Sequence, residues 1–161
     1  SEANKDSVKE KAKFGDRVNI GVEVNKDSVK GKAEVTKTTK NRDISGSVEV
    51  NIEQGKNVSL NGGKTTTNEI GQNYTKKGTE HRASASIIND DNKSGVEGSY
   101  NNKKTDTKGK KFGDSNVSKT NTKEYTITAS VTKDKNGNTE IKGSYERSNI
   151  NKCLIILKYV K

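Results

Sequence analysis

The stretch 18–35 reads VNIGVEV, NKDS, VKGKAEV, and it decides the fold class. The even positions of 18–24 are Val or Ile, and the odd positions are Asn, Gly or Glu. Successive side chains of a β-strand point to opposite faces, so this alternation predicts a strand with one aliphatic face and one polar face. Residues 25–28 have turn composition, and the alternation then resumes at 29–35. The stretch therefore predicts an amphipathic β-hairpin.

The same pattern recurs along the chain. The paired runs, each pair flanking a polar turn, are 46–52 with 58–62, 83–87 with 96–100, and 125–131 with 141–145. The last turn contains Asn136-Gly137, one of the strongest short hairpin signals, and an apolar strand-sized run follows near Ile155. We predict an all-β fold, an antiparallel meander of repeated hairpins. Residues 1–13 are predicted to be a polar N-terminal tail, and residues 14–161 a single β-hairpin-repeat domain.

The composition predicts a thin core. Hydrophobic residues are 25% of the chain and aromatic residues 4%. A closed barrel or a two-layer sandwich would cover the aliphatic face, and self-association through open strand edges is an alternative source of burial. The Lys/Thr-rich segments 36–43, 63–82 and 101–123 are expected to be either long loops or polar extensions of the strands.

A search for catalytic or metal-binding groups is negative. His81 is the only histidine and is expected on the surface, whereas Cys153, the only cysteine, lies in an apolar run and is expected to be buried and inert. Residues 134–138 resemble the start of a calcium loop, but Thr139 and Tyr145 stand where Gly and Glu are required. We therefore predict a protein that is not an enzyme and has no metal, no cofactor and no disulfide within the chain.

The charge is the main functional signal. Lys plus Arg total 31 against 21 acidic residues, for a net charge of +10. Lysine clusters are candidate contacts for anionic surfaces: Lys76, Lys77, Lys103, Lys104, Lys108, Lys110 and Lys111. Lys lacks the planar fork of Arg, and stacking aromatics are few, so sequence-specific nucleic acid binding is not expected. The alternative is that Lys on exposed strands only prevents aggregation and keeps the protein soluble.

Residues 14–33 resemble attacins, a family of secreted, basic, glycine-rich antibacterial proteins of insects. The resemblance consists of Phe-Gly-Asp-Arg-Val at 14–18, Gly-Val-Glu-Val-Asn at 21–25 and Asp-Ser-Val-Lys-Gly-Lys-Ala at 27–33, and a second Phe-Gly-Asp stands at 112–114. The chain departs from the family in having less Gly and Phe, no Pro, and more Lys and Thr. The resemblance implies secretion and action at a bacterial envelope without a catalytic site.

Two functions from different classes follow. The first is a secreted, extracellular, cationic β-rich protein with an antibacterial or defence-like role, binding anionic lipid, lipopolysaccharide or polysaccharide. The second is a structural subunit of a fibre, coat or extracellular matrix that self-assembles through β-strands. No apolar run reaches the roughly 20 residues of a membrane-spanning helix, so no transmembrane segment is expected.

Overall fold

The computed structural model describes residues 2–4, 7–15, 17–39, 42–53 and 57–158. These residues form a single antiparallel sheet in which the strands follow one another in chain order. The strands are β1 (Glu2–Asn4), β2 (Ser7–Phe14), β3 (Val18–Asn25), β4 (Ser28–Thr39), β5 (Arg42–Glu53), β6 (Asn57–Ile70), β7 (Asn73–Asn89), β8 (Lys93–Phe112), β9 (Ser115–Asp134) and β10 (Thr139–Ile156). The predicted all-β meander of hairpins is confirmed.

The Lys/Thr-rich segments are extensions of the strands. Most of segment 63–82 lies in β6 and β7, and most of segment 101–123 lies in β8 and β9, which are 20 residues long each. Hydrogen-bonded pairing continues through these polar residues from Lys93↔Asp134 to Phe112↔Ser115 without a bulge. The run near Ile155 is the far end of β10, and residues 7–13, predicted as part of a tail, belong to β2.

The turns at one end of the sheet are stabilised by Asn or Asp side chains. Asn25 Oδ1 accepts hydrogen bonds from the backbone N–H of Asp27 and Ser28, and Asp90 Oδ1 accepts from Asn92 and Lys93. Asp134 Oδ1 accepts from the N–H groups of residues 136 and 138 in the same way. These turns confirm the sequence prediction, whereas the turn predicted at 54–57 lies mostly outside the described residues.

The turns at the opposite end depend on glycine. Gly71 and Gly113 have φ of 61° and 58°, and each is the first residue of a two-residue turn. No other residue of these turns has a positive φ, which fits a type II′ hairpin turn. The second Phe-Gly-Asp motif is therefore the β8–β9 turn.

The sheet has one layer and no core. Among the described residues no hydrophobic side chain is buried, and only Asn102 and Thr132 are buried at all. Contacts between strands run between sequence neighbours, and β10 does not pair with the N-terminal strands, so the sheet is open. Both faces of the sheet are therefore available for contact with another surface.

Candidate anionic-surface interface

The strand register divides the side chains between two faces. Residues paired across an antiparallel ladder project from the same side of the sheet, and side chains alternate along each strand. The apolar face carries the even-numbered residues of β2, β3, β5, β6 and β8 and the odd-numbered residues of β4, β7, β9 and β10. The remaining strand residues form the polar face.

Aliphatic side chains form a continuous band across the apolar face. One row of partners runs Val24, Val29, Ile52, Val58 and Ala85, and the next contains Val22, Val50 and Leu60. Leu60 is 47% exposed and Val22 44%. Of the large hydrophobic strand residues that are exposed in the described part of the chain, only Ile150, Leu154 and Ile156 lie on the polar face. We call the aliphatic side chains in the rows of Ile20, Val22 and Val24 the apolar band.

Basic residues are concentrated on the same face as the apolar band. Its acidic strand residues are Glu10 and Asp106 alone within the described chain. Its basic residues are Lys37, Arg42, Lys64, Lys77, Lys104, Lys108, Lys110, Lys119, Lys123, Lys133 and Arg147. All but Lys133 and Arg147 lie between the apolar band and the glycine turns, and we call this group the lysine band.

The polar face is balanced in charge. Its basic strand residues are Lys9, Lys11, Lys13, Lys30, Lys32, Lys76, Arg82, Lys93, Lys103, Lys111, Lys142 and Lys152. In β2 to β10 its acidic residues are equal in number: Glu23, Glu34, Asp43, Glu49, Glu53, Glu69, Glu80, Glu97, Glu124, Asp134, Glu140 and Glu146. The net positive charge of the sheet therefore belongs to the apolar face.

Ion pairing follows the same division. The four salt bridges of the described residues all join residues of the polar face: Lys9–Glu23, Lys32–Glu34, Lys111–Glu69 and Lys142–Glu140. The hydrogen bond from Lys32 to Glu34 raises the pKa of Lys32, and the hydrogen bond from Lys111 to Glu69 raises that of Lys111. The negative charge of each glutamate is the second largest cause. The lysine band has no such partners within the described chain.

The lysine band instead brings like charges together. Lys104 is paired with Lys123, and Lys108 with Lys119, across the β8–β9 ladder. Like charges directly opposite each other in a sheet are destabilising, and a bound anion between them relieves the repulsion. Asp106 lies between these two pairs and opposite Lys77, so it offsets part of the repulsion, but it is the one carboxylate beside the nine basic residues of the band within the described strands. The band is therefore suited to bind anionic groups.

An aromatic row separates the apolar band from the lysine band across β7 to β10. The ring centroids of His81 and Tyr100 are 6.1 Å apart, those of Tyr100 and Tyr125 6.0 Å, and those of Tyr125 and Tyr145 6.3 Å. His81 Nδ1 lies 2.6 Å from Tyr100 Oη and 3.0 Å from Asn102 Nδ2, so a ring protonated on Nε2 can accept a hydrogen bond at Nδ1 from one of these two groups. Desolvation, followed by the hydrogen bond and charge of Tyr100, raises the pKa of Tyr125.

The predicted contact lysines divide between the two faces. Lys77, Lys104, Lys108 and Lys110 belong to the lysine band, whereas Lys76, Lys103 and Lys111 are on the polar face. Lys111 is engaged with Glu69, and Lys103 lies opposite Glu80 and Glu124. Sequence reasoning missed Lys37, Lys64, Lys119 and Lys123, which stand apart in the chain and meet through the register.

Other predicted features are placed as follows. His81 is exposed on the apolar face, as expected for a surface histidine. The expectation of a buried Cys153 is wrong: its side chain is exposed, because β10 is an edge strand and none of the described residues packs on either of its faces. In the described part of the chain, no group of His, Cys, Asp or Glu is arranged to hold a metal ion. The same residues contain no helix with the length and apolar character needed to span a membrane.

Comparison with known proteins gives no relative: no family model, no curated protein and no solved structure matches the chain.

Proposed function

We propose that the protein is a non-enzymatic, cationic binding protein whose apolar face lies on an anionic lipid surface. In this arrangement the apolar band contacts the acyl chains, the row from His81 to Tyr145 lies at the level of the headgroups, and the lysine band contacts phosphates. Tyrosine suits such a boundary because its ring is apolar and its hydroxyl stays hydrated.

The observation that carries the proposal is the segregation of charge. Lys104, Lys108, Lys119 and Lys123 lie on the face that also bears the exposed valines and form no salt bridge within the described chain, while the polar face is balanced. If the lysines served solubility alone, both faces would be expected to carry a similar net charge. A face that is both apolar and cationic complements a surface that is both acyl-chain-rich and anionic.

The magnitudes support binding by many weak contacts. A Lys or Arg near an anionic membrane surface contributes about 1 kcal/mol, within a Debye length of roughly 10 Å at moderate salt. Burial of a half-exposed aliphatic side chain adds about 1 kcal/mol at about 25 cal/mol per Å² of apolar area. Long Lys side chains also extend to the headgroups while their methylenes remain against the apolar region.

The chemistry favours an amphiphile among the predicted partners. Phospholipid and lipopolysaccharide both combine acyl chains with anionic groups, so they match both bands. A soluble acidic polysaccharide would engage the lysine band and leave Val22, Val50 and Leu60 uncovered. In the proposed role the protein is secreted and defence-like, and it acts at an anionic microbial envelope.

The proposal extends to the choice between a closed barrel and a two-layer arrangement. Closing a barrel would pair β10, of 18 residues, with the N-terminal edge, where β1 has 3 residues and β2 has 8, which leaves much of β10 unpaired. The unequal lengths favour the two-layer arrangement, in which a second layer about 10 Å away covers the apolar face. At a membrane, the acyl chains supply that layer.

The experiment is binding to vesicles with and without anionic phospholipid, followed by sedimentation or by fluorescence of a dye-labelled protein. We expect binding to the anionic vesicles that weakens steeply as salt rises, and little binding to zwitterionic vesicles. A parallel experiment compares binding to lipopolysaccharide with binding to its deacylated polysaccharide. Equal binding to both vesicle types, or preference for the deacylated polysaccharide, would contradict the proposal.

A structural subunit is the second candidate function. It is favoured by the absence of a buried aliphatic side chain in the described residues and by the open sheet edge at β10. Filaments visible by electron microscopy in lipid-free buffer would support this function, and their absence at high protein concentration would oppose it.

A further inference from the structure

The edge strand β10 is the longest uncovered backbone ladder of the described sheet. It pairs with β9 at every position from Thr139↔Lys133 to Ile156↔Asn116, and it has no partner on its other side. All residues of β10 are exposed. An uncovered edge of this kind presents unpaired N–H and C=O groups to any second strand.

The β9–β10 turn shows which backbone groups of β10 are not hydrogen-bonded to β9. The N–H of Asp134 donates to the C=O of Asn138, so this pair is hydrogen-bonded. Hydrogen-bonded and non-bonded pairs alternate along an antiparallel ladder, so the even-numbered residues of β10 bond to β9. The odd-numbered residues, among them Tyr145, Asn149 and Cys153, direct their N–H and C=O groups to the open edge.

β10 lacks two of the devices that usually block such an edge, proline and a bulge, although it carries Lys142 and Lys152. The chain has no proline, and the regular pairing with β9 excludes a bulge between Thr139 and Ile156. Towards its end the strand is apolar on both faces, with Leu154 and Ile156 on one side and Ile155 on the other. A strand apolar on both sides is typical of a sheet interior, not of an edge.

We infer that β10 is a docking site for a second copy of this chain, in an antiparallel pair whose two-fold axis passes through Asn149. Each Glu146 is then opposite Lys152 of the second copy, so two pairs of opposite charge form. Arg147 is opposite Asn151, and Tyr145 is opposite Cys153. Axes through Glu146, Arg147 or Lys152 would instead place identical charges opposite each other, which is unfavourable. An axis through Ser144 would also pair Glu146 with a lysine, Lys142, but it would leave residues 150–156 of each β10 without a partner strand.

This pairing extends the sheet and keeps its two faces distinct. Because residues paired across the two-fold axis have the same parity, the apolar faces of both copies lie on the same side. The inference rests on the backbone and the charges of β10, and it does not depend on binding to lipid.

The first test separates the backbone donor from the side chain. Asn149→Pro removes an outward N–H and leaves the β10–β9 hydrogen bonds, whereas the control Asn149→Ala removes the same side chain and keeps the N–H. By sedimentation equilibrium we expect a dimer for the wild type and for Asn149→Ala. We expect a dissociation constant at least about tenfold weaker for Asn149→Pro, because both N–H···O=C bonds of the central pair are lost. A monomeric wild type, or equal dissociation constants for the two variants, would overturn the inference.

The second test checks the register by disulfide formation. In a Cys153→Ser background, Asn149→Cys places two Cα atoms about 5.5 Å apart across the axis, within disulfide range. The control Asn121→Cys lies one strand inward, so its two copies are separated by about 14 Å or more. We expect a covalent dimer on mild oxidation for Asn149→Cys only. Equal cross-linking of both variants, or a stoichiometric dimer through wild-type Cys153, would overturn this register.

Discussion

The two faces of the sheet carry similar numbers of basic residues but differ in the side chains that surround those residues. On the polar face, lysines alternate with carboxylates and form the salt bridges Lys32–Glu34 and Lys111–Glu69, among others. On the apolar face, Lys104 is opposite Lys123 and Lys108 is opposite Lys119, next to a band of exposed valines. The difference teaches that the net charge is a property of one face.

The largest expected effect comes from neutralising one face at a time. Lys→Gln at positions 104, 108, 119 and 123 should weaken binding to anionic vesicles about 10³-fold, at about 1 kcal/mol per lysine. The matched control is Lys→Gln at positions 30, 76, 93 and 103 of the polar face, which changes the net charge equally. We expect this control to remain within about tenfold of the wild type, because the contribution of distant charges is screened. Equal losses in a vesicle sedimentation assay would show that only total charge matters.

A second variant tests the apolar band apart from charge. Leu60→Asn places an amide in the centre of the band and should lower vesicle affinity about tenfold, since roughly half of the Leu side chain is open to contact. The control Ser59→Asn introduces the same side chain one residue away on the polar face and should leave the affinity unchanged. If both variants bind like the wild type in the same assay, the lysine band alone holds the lipid.

The strands were predictable from the sequence where polarity alternates, and less so elsewhere. The valines at 18–24 contrast with their neighbours, so period two is visible there, whereas both faces of β8 are polar over residues 101–111 and give no contrast. The glycine turns at Gly71 and Gly113 were missed, although Gly at the first position of a two-residue turn is a recognisable type II′ signal.

The lysine band could not be predicted from proximity in the chain. Sequence clustering grouped Lys103 with Lys104 and Lys110 with Lys111, yet the two members of each pair lie on opposite faces. Lys119 and Lys123 join the band only because β9 pairs with β8 in one register. A shift of the register by one residue would move every side chain of β9 to the other face, so the site depends on an alignment that local sequence does not specify.

Single charge reversals test whether the like-charge pairs are strained. Lys123→Glu converts the Lys104–Lys123 pair into an opposite-charge pair and should raise the free energy of unfolding by about 0.5 kcal/mol while vesicle affinity falls. On the polar face, Glu124→Lys places a lysine opposite Lys103 and removes the hydrogen bond from Asn101 Nδ2, so stability should fall by about 1 kcal/mol. Urea unfolding measures both changes. A loss of stability in Lys123→Glu would mean that the lysine band is not under repulsion.

The smallest expected effect comes from the turn carboxylates, which lie at the strand ends. Backbone N–H groups that donate to these carboxylates lower the pKa of both. For Asp90 the donors are Asn92 and Lys93, and for Asp134 the largest effect comes from Asn138. A carboxyl whose pKa is lowered in the folded state stabilises the fold above its unfolded value of about 4, and this contribution is lost as pH falls through the folded value. We therefore expect thermal stability to decrease below about pH 4, and we expect the two turn carboxylates to account for part of that decrease.

Asn25 shows how to isolate this contribution from the charges on the faces. Its amide oxygen accepts the hydrogen bonds of the first hairpin turn without any titration, so Asp90→Asn and Asp134→Asn should keep the turns and remove their pH dependence. The double variant should melt close to the wild type at pH 7 and lose less stability than the wild type between pH 5 and 3. Parallel melting curves across that range would assign the acid sensitivity to carboxylates within the polar face, which would make charge balance there a requirement of the fold itself.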